Sequence, residues 1–149
     1  MSKVSLEQEL ARSGRLIYVT KGYSMRPFIR SGQDLVEIHP RGSERLQKYD
    51  VVLYRRGEAY VLHRIVEVRD RDYVICGDNC VELEKGITDS QILGVLTGIV
   101  RDGKKLDIHS RGYRLRVRLW VALYGPRAIY LRIRRFLSGI WRTRNGSKN

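Results

Sequence analysis

Between residues 15 and 100 the chain is a succession of short apolar or alternating segments, bounded by Gly, Pro, Asp or Asn. Side chains on a strand alternate faces, and tight turns favour those bounding residues, so the pattern predicts antiparallel strands joined by short loops. A single short helix, with Ser5 as its N-cap and Gly14 at its end, is predicted before them. The sequence therefore predicts a mainly β domain with a small, bent or barrel-like sheet. The predicted strands are residues 15–19, 34–38, 49–54, 59–68, 73–76 and 92–100.

Ser24 follows the first predicted strand, in the run Gly-Tyr-Ser-Met-Arg-Pro that begins at Gly22. Pro27 fixes its own φ near −65° and biases Arg26 away from the helical conformation, so the turn is stiff. A stiff, exposed turn can hold a hydroxyl group in a fixed attacking geometry. A serine three residues before a proline is also common in ordinary turns. Ser24 is thus a candidate nucleophile whose interpretation depends on what lies downstream.

Two later segments carry the groups that an activated serine needs. His63 lies in one predicted strand, and Asp78 lies in the Gly-Asp-Asn turn after the next. A serine hydroxyl attacks amides poorly unless a base accepts its proton, and neutral imidazole is a competent base. Asp78 could then orient the imidazole, with Glu82 and Glu84 as alternative carboxylates. The competing interpretation is a structural strand histidine beside an ordinary turn.

Five short motifs follow one another in an order that resembles the type I signal peptidases and their LexA-like relatives. They are Gly-x-Ser-Met-x-Pro at Ser24, Lys-Tyr-Asp-Val-Val from Lys48, His-Arg-Ile-Val from His63, Gly-Asp-Asn at Asp78 and Ile-Leu-Gly-Val from Ile92. The resemblance covers about residues 18–100 and implies a serine peptidase fold of that type. Bacterial signal peptidases and LexA-type repressors use a lysine base. His63 instead resembles the Ser–His enzymes of the endoplasmic reticulum, the archaea and some Gram-positive bacteria.

Two features depart from the resemblance. Many relatives carry a serine two residues before the nucleophile, where its hydroxyl assists the oxyanion hole, but this chain has Gly22. The Ser24 N–H would then act with less help, and loss of one donor can cost on the order of 10²–10³ in rate. Residues 1–15 are charged and have no apolar core, so neither a signal peptide nor an N-terminal anchor is predicted. No apolar run reaches the roughly 18 residues of a membrane span. We expect a cytoplasmic or peripherally membrane-associated protein.

The positive charge is concentrated in the last third of the chain. Residues 101–149 hold eleven Arg and three Lys against two Asp, and so account for most of the net charge of +13. Apolar residues recur at helical spacing from Leu115 to Leu123 and from Ile129 to Ile140, with a Gly-Pro break between them. A strand over residues 113–119, where apolar residues alternate with Arg, is the alternative. We predict a β catalytic domain over residues 1–108 and a basic amphipathic extension over residues 109–149.

Three roles are possible for the basic extension. It could lie on an anionic membrane, it could bind nucleic acid, or it could pack on the β domain with a solvated basic face. The membrane surface is preferred over nucleic acid, because the aromatic residues lie at the apolar–polar margins. The predicted interfacial anchors are Trp120, Tyr124, Tyr130 and Trp141.

The sequence predicts a serine endopeptidase that cleaves an extended leader, signal-type or precursor peptide with Ser24 and His63. The resemblance implies cleavage after small residues. The alternatives are a LexA-like self-cleaving regulator or an inactive peptide-binding module, either with a nucleic-acid-binding tail. No helix-turn-helix pattern precedes the catalytic segment. The two cysteines, Cys76 and Cys80, are expected to be thiols, although a disulfide between them is an alternative. They do not complete a zinc ligand set, and no cofactor is predicted.

Overall fold

The computed structural model describes the backbone of residues 6–145 and the side chains of residues 6–138. The predicted N-cap Ser5 and the side chain of Trp141 lie outside these ranges. The helices are α1 (Leu6–Ser13), α2 (Arg111–Ala122) and α3 (Tyr124–Asn145), and a 3₁₀ turn spans Asp89–Gln91. The strands are β1 (Leu16–Val19), β2 (Leu35–Pro40), β3 (Val51–Arg56), β4 (Ala59–Val68), β5 (Tyr73–Cys76), β6 (Glu84–Ile87), β7 (Ile92–Arg101) and β8 (Lys104–Leu106).

The eight strands form one antiparallel sheet, which confirms the prediction of a mainly β protein. Their order is β1-β2-β7-β3-β4-β5-β6, with β8 paired to the far end of β7. The sheet is open rather than closed into a barrel, so β1 and β6 are its two ends. Among the described strands only β2 pairs with β1, so one edge of β1 is unpaired within this part of the chain. From β1 the chain runs directly into the segment that holds Ser24.

Strand β3 lies in the middle of the sheet and is buried on both faces. Val51 and Leu53 contribute to one apolar cluster, which also contains residues of α1 and of the segment after β1. Val52 and Tyr54, which point the other way, contribute to a second cluster with β5 and β7. This two-sided burial fixes β3, and with it the partner strand β4.

Most strands lie where the sequence placed them. The predicted bounds of β4 and β5 are confirmed, whereas β6 and β8 were not predicted. Residues 113–119 are helical rather than extended. Ser110 caps this helix, because its hydroxyl accepts a hydrogen bond from the Tyr113 N–H.

Helices α2 and α3 are docked on the β domain through specific contacts. The Trp120 indole N–H donates to the Asp78 carbonyl oxygen at 2.8 Å, and the Tyr124 hydroxyl donates to the Val81 carbonyl. Val81 also packs in a small apolar cluster with residues of α3. Two of the four aromatic residues that the sequence suggested as membrane anchors therefore contact the loop after β5. Among the described residues, no helix has the length and apolarity needed to cross a membrane.

Candidate active site

The segment that carries Ser24 is anchored by its own apolar side chains. Met25, Phe28 and Ile29 are buried, whereas Tyr23 is exposed, and Ser24 is half-buried between them. Two backbone hydrogen bonds tighten the turn, and the Ile29 N–H to Met25 carbonyl bond measures 2.9 Å. The local sequence thus buries the three large apolar side chains that follow Ser24, and the serine stays near the surface.

His63 is held in β4, opposite Val52 of β3, and only 6% of its surface is exposed. Its Nδ1 lies 3.2 Å from Oε1 of Glu84 and 3.4 Å from the Tyr54 hydroxyl. An ionised carboxylate only accepts hydrogen bonds, so this contact favours the tautomer in which Nδ1 carries the proton. The other ring nitrogen, Nε2, is then the basic one.

Gly77 is where His63 and the Ser24 segment meet. A Cβ built on Gly77 would lie 2.9 Å from Nε2 of His63 and 2.9 Å from the Ser24 carbonyl oxygen. Both atoms therefore line the same small space, which only glycine leaves open. The Asn79 N–H donates to the Ser24 carbonyl at 2.7 Å, which fixes the serine segment against the turn after β5. The structure thus brings the predicted nucleophile segment and the basic nitrogen of the predicted base together.

Glu84 occupies the position that the sequence assigned first to Asp78. It lies on β6, and its Oε1 accepts hydrogen bonds from the Tyr54 hydroxyl at 2.7 Å and from Arg56 at 3.0 Å. These two donors aim the carboxylate at the imidazole. Burial together with the hydrogen bond to Glu84 strongly raises the pKa of Tyr54, which therefore stays a neutral donor. Tyr54 and Arg56 were not identified as site residues, because a strand tyrosine and a turn arginine carry no distinctive pattern.

Asp78 is engaged elsewhere. It forms a two-point ion pair with Arg64, in which Nε and a terminal nitrogen each donate at 2.8 Å. Both side chains are almost fully buried, and Arg64 also donates to the Tyr49 carbonyl at 2.9 Å. Because His63 and Arg64 are consecutive strand residues, they face opposite sides of β4. Glu82, the remaining carboxylate alternative, is exposed and pairs with Arg135.

Burial lowers the pKa of His63 below its ordinary value, and this effect exceeds the opposing one of the Glu84 carboxylate. A lowered pKa keeps the imidazole neutral at pH 7, which is the form that accepts a proton. Glu84 still stabilises the imidazolium relative to a site without a carboxylate. Burial therefore leaves His63 neutral and able to accept a proton at neutral pH. Glu84 stabilises the charged imidazolium that forms once the proton is accepted.

The Ser24 N–H has no hydrogen-bond partner among the described residues, so it remains a possible oxyanion donor. Gly22, with φ of 88°, adds no side-chain donor beside it. The expectation of an oxyanion hole with one donor fewer stays a prediction.

Cys80 is the site residue that sequence reasoning did not connect with His63. A Cβ on Gly77 would lie 2.7 Å from the Cys80 sulfur, so the thiol borders the same space as Nε2 of His63. Cys76 and Cys80 are both free thiols. Within the described part of the chain, no cluster of His, Cys, Asp or Glu could hold a metal ion.

Comparison with known proteins adds no family to this description. No protein-family model matches the chain. No curated protein is significantly similar to it.

Proposed function

We propose that this protein is a serine endopeptidase of the signal peptidase-like class, with Ser24 as nucleophile, His63 as general base and Glu84 as the orienting carboxylate. One observation carries the proposal. Glu84 binds Nδ1 of His63, while Nε2 of the same ring lines the space beside the Ser24 backbone. A nucleophile, a base and a third group that orients the base are the recurring parts of an activated-serine site. The proposed fold type is that of the signal peptidases and LexA-like peptidases.

In the proposed reaction, Nε2 of His63 accepts the hydroxyl proton as the Ser24 oxygen bonds to the carbonyl carbon of the peptide. The carbonyl electrons move to oxygen, where the Ser24 N–H donates a hydrogen bond. The imidazolium, stabilised by Glu84, then gives its proton to the amine as the C–N bond breaks. Water, deprotonated by His63, cleaves the resulting ester and restores the serine.

Strand β1 provides a place for an extended substrate. It is an end strand of the sheet, and its Ile17 and Val19 are exposed. A peptide that adds to this edge would make main-chain hydrogen bonds with β1. Because β1 leads into the Ser24 segment, such a peptide would run toward the nucleophile. The resemblance to signal peptidases implies small residues before the cleaved bond.

The test is labelling of the full chain with a fluorophosphonate probe, followed by mapping of the modified residue by mass spectrometry. We expect the label on Ser24, no label in Ser24→Ala, and slower labelling in His63→Ala. Ser110→Ala is a matched control, since Ser110 caps α2 far along the chain from Ser24. Unchanged labelling of Ser24→Ala, or no labelling of the folded wild-type protein, would count against the peptidase.

A second role, peripheral docking on an anionic membrane, is supported by the outer face of α2 and α3. Eight large apolar side chains there are 53–69% exposed, and exposed arginines lie among them. A face that combines apolar side chains with arginines complements the boundary between acyl chains and anionic headgroups. We call these residues the apolar face. They are Leu115, Leu119, Leu123, Ile129, Tyr130, Ile133, Phe136 and Leu137.

Co-sedimentation with phosphatidylglycerol and phosphatidylcholine vesicles across a salt series tests this docking. We expect binding to the anionic vesicles that weakens with salt but persists, since the apolar contribution is not screened. Phe136→Ser should weaken it, whereas Ile17→Ser, on the exposed strand β1, should not. A steep salt-dependent shift of duplex DNA without vesicle binding would instead favour the regulator with a nucleic-acid-binding tail. Self-association abolished by Phe136→Ser would assign the face to a second copy of the chain.

A further inference from the structure

A cavity of about 510 Å³ lies between the Ser24 segment and the two C-terminal helices. Three arginines line it: Arg26 beside the nucleophile, and Arg127 and Arg134 on α3. No Asp or Glu is among the described side chains that line the cavity. The cavity therefore concentrates positive charge without a carboxylate to neutralise it.

None of these arginines forms a salt bridge within the described part of the chain, whereas the adjacent Arg135 pairs with Glu82 at 3.2 Å. Arg26 lies over the Tyr23 ring, with its guanidinium carbon 4.5 Å from the ring centroid. Arg127 lies in the same way over Trp120 at 5.0 Å. One terminal nitrogen of Arg127 donates to the Trp120 carbonyl at 3.3 Å. The side chains of Arg26 and Arg134 are exposed and donate no hydrogen bond within the described part of the chain, so their donors can reach a ligand in the cavity.

The cavity is directly adjacent to the nucleophile. Tyr23 and Asn79 are both part of its wall. The Asn79 N–H donates to the Ser24 carbonyl at 2.7 Å, and its side-chain amide donates to the Tyr23 carbonyl at 3.2 Å. The cavity wall thus includes the residue before Ser24 and the residue that is hydrogen-bonded to the Ser24 carbonyl.

We propose that this cavity binds an acidic side chain, Asp or Glu, of the peptide substrate close to the cleaved bond. The inference rests on the proposed peptidase activity at Ser24. A carboxylate would provide acceptors for the guanidinium groups of Arg26 and Arg134 beside the charge of Arg127, and Arg–carboxylate bonds are charge-assisted and directional. A lysine or arginine of the peptide at that position would be repelled by the same three charges.

The binding test uses the full chain with Ser24→Ala and a set of fluorescent decapeptides that differ only in carrying Glu, Gln or Lys at one position. We expect the Glu peptide of the best position to bind about tenfold more tightly than its Gln counterpart, as anisotropy measures. Arg134→Gln and Arg26→Gln should abolish that preference. Arg132→Gln is the matched control, because it removes the same charge from an exposed position on α3 outside the cavity.

Cleavage of the same decapeptides by the protein with Ser24 intact separates the two proposals. Cleavage without a preference for Glu would overturn the cavity inference and leave the peptidase standing. Glu-selective binding without any cleavage would support the cavity and count against the peptidase. Phosphatidylglycerol vesicles provide the third comparison. If Arg134→Gln weakens vesicle binding more than Arg132→Gln does and leaves peptide preference unchanged, the cavity holds a lipid headgroup and the inference is overturned.

Discussion

Arg64 and Asp78 are joined by two hydrogen bonds of 2.8 Å in the interior, and this pair separates Asp78 from the imidazole of the adjacent residue His63. The Asp78 carbonyl also accepts the Trp120 indole N–H. Asp78 thereby links β4, the turn after β5 and helix α2. The two carboxylates therefore have different partners. Asp78 binds the structural groups Arg64 and Trp120, whereas Glu84 contacts the imidazole of His63.

Asp78→Asn should destabilise the fold. The substitution leaves the buried Arg64 charge without its partner, and breaking such a pair costs about 3–5 kcal/mol. Urea unfolding followed by circular dichroism measures the change in the free energy of unfolding. Glu82→Gln removes an exposed carboxylate from the same loop and should change stability little. Full stability of Asp78→Asn would contradict a structural role for this residue.

If His63 and Glu84 act as proposed, Glu84→Gln should lower peptidase activity while the fold persists. Without the carboxylate, the imidazolium loses its stabilising charge and Nδ1 loses a strong acceptor, so we expect a fall in kcat of about 10²–10⁴. Turnover of a cleavable peptide, measured beside the melting temperature, tests this expectation. Glu82→Gln is again the control. If Glu84→Gln cleaves at the wild-type rate while folded Asp78→Asn does not, the orienting carboxylate is Asp78.

The rate should rise with pH to a plateau, with a midpoint below the ordinary histidine pKa of about 6.5. Burial lowers the pKa of His63, and only the neutral imidazole acts as a base. Glu84 raises this pKa, so Glu84→Gln should move the midpoint lower still. The profile of kcat/KM against pH measures both. A midpoint above that of free histidine would contradict the assignment of His63 as the buried base.

The lowered pKa of His63 should also make the free energy of unfolding depend on pH. The unfolded chain binds more protons at His63 than the folded chain does between the folded-state pKa and about pH 6.5. The free energy of unfolding should therefore be undiminished above that window and should fall as the pH is lowered through it. Urea unfolding across the window, compared with His63→Gln, isolates this contribution.

Gly77→Ala should abolish cleavage. The added methyl group would lie 2.7 Å from the Cys80 sulfur, 2.9 Å from His63 Nε2 and 2.9 Å from the Ser24 carbonyl oxygen, which is too close for van der Waals contact. The imidazole and the serine segment would have to move apart. Gly112→Ala, in helix α2 with no neighbouring atom in the way, should retain activity and gain up to about 1 kcal/mol of stability. Activity of Gly77→Ala at the wild-type level would argue that the serine and imidazole do not cooperate.

Alkylation of Cys80 by N-ethylmaleimide should inhibit cleavage, because the adduct would fill the space beside His63. Burial raises the pKa of Cys80, so the reaction should accelerate toward alkaline pH. Burial raises the pKa of Cys76 to about 12, and this fully buried thiol should not react. Cys80→Ser should stay active and resist the reagent. Equal inhibition of Cys80→Ser would place the sensitive group elsewhere.

The strands that the sequence predicted well are those that bury many side chains, because burial requires a recognisable run or alternation of apolar residues. β4 and β5 carry nearly continuous apolar runs, and their bounds were predicted. β6, with the sequence Glu-Lys-Gly-Ile, is short and has only one buried residue, Ile87. Nothing in its composition indicates a strand, since pairing with β5 rather than intrinsic preference makes it extended.

The sequence favours Asp78 over Glu84 as the partner of His63 because it does not indicate strand β6. Without this strand, no pattern places Glu84 beside His63, whereas Asp78 directly follows a predicted strand. The ion pair of Asp78 with Arg64 is also not evident from the sequence, because an arginine next to a histidine on a strand is usually exposed. Ser24 and His63 were identifiable from local motifs. Their meeting at Gly77 depends on the order of the strands, which local sequence patterns do not encode.

The hydrogen bond from Trp120 to Asp78 has a consequence for geometry at a bilayer. Helix α2 cannot swing away from the sheet without losing this bond and the ring contacts of Phe28 with Tyr113 and Trp120. If the apolar face rests on a membrane, α2 must therefore bind the membrane without leaving its position on the sheet. Ser24, the proposed nucleophile, would then lie at a constant distance from the lipid surface. That distance would set the length of peptide that a membrane-bound substrate must extend before its bond can be cleaved.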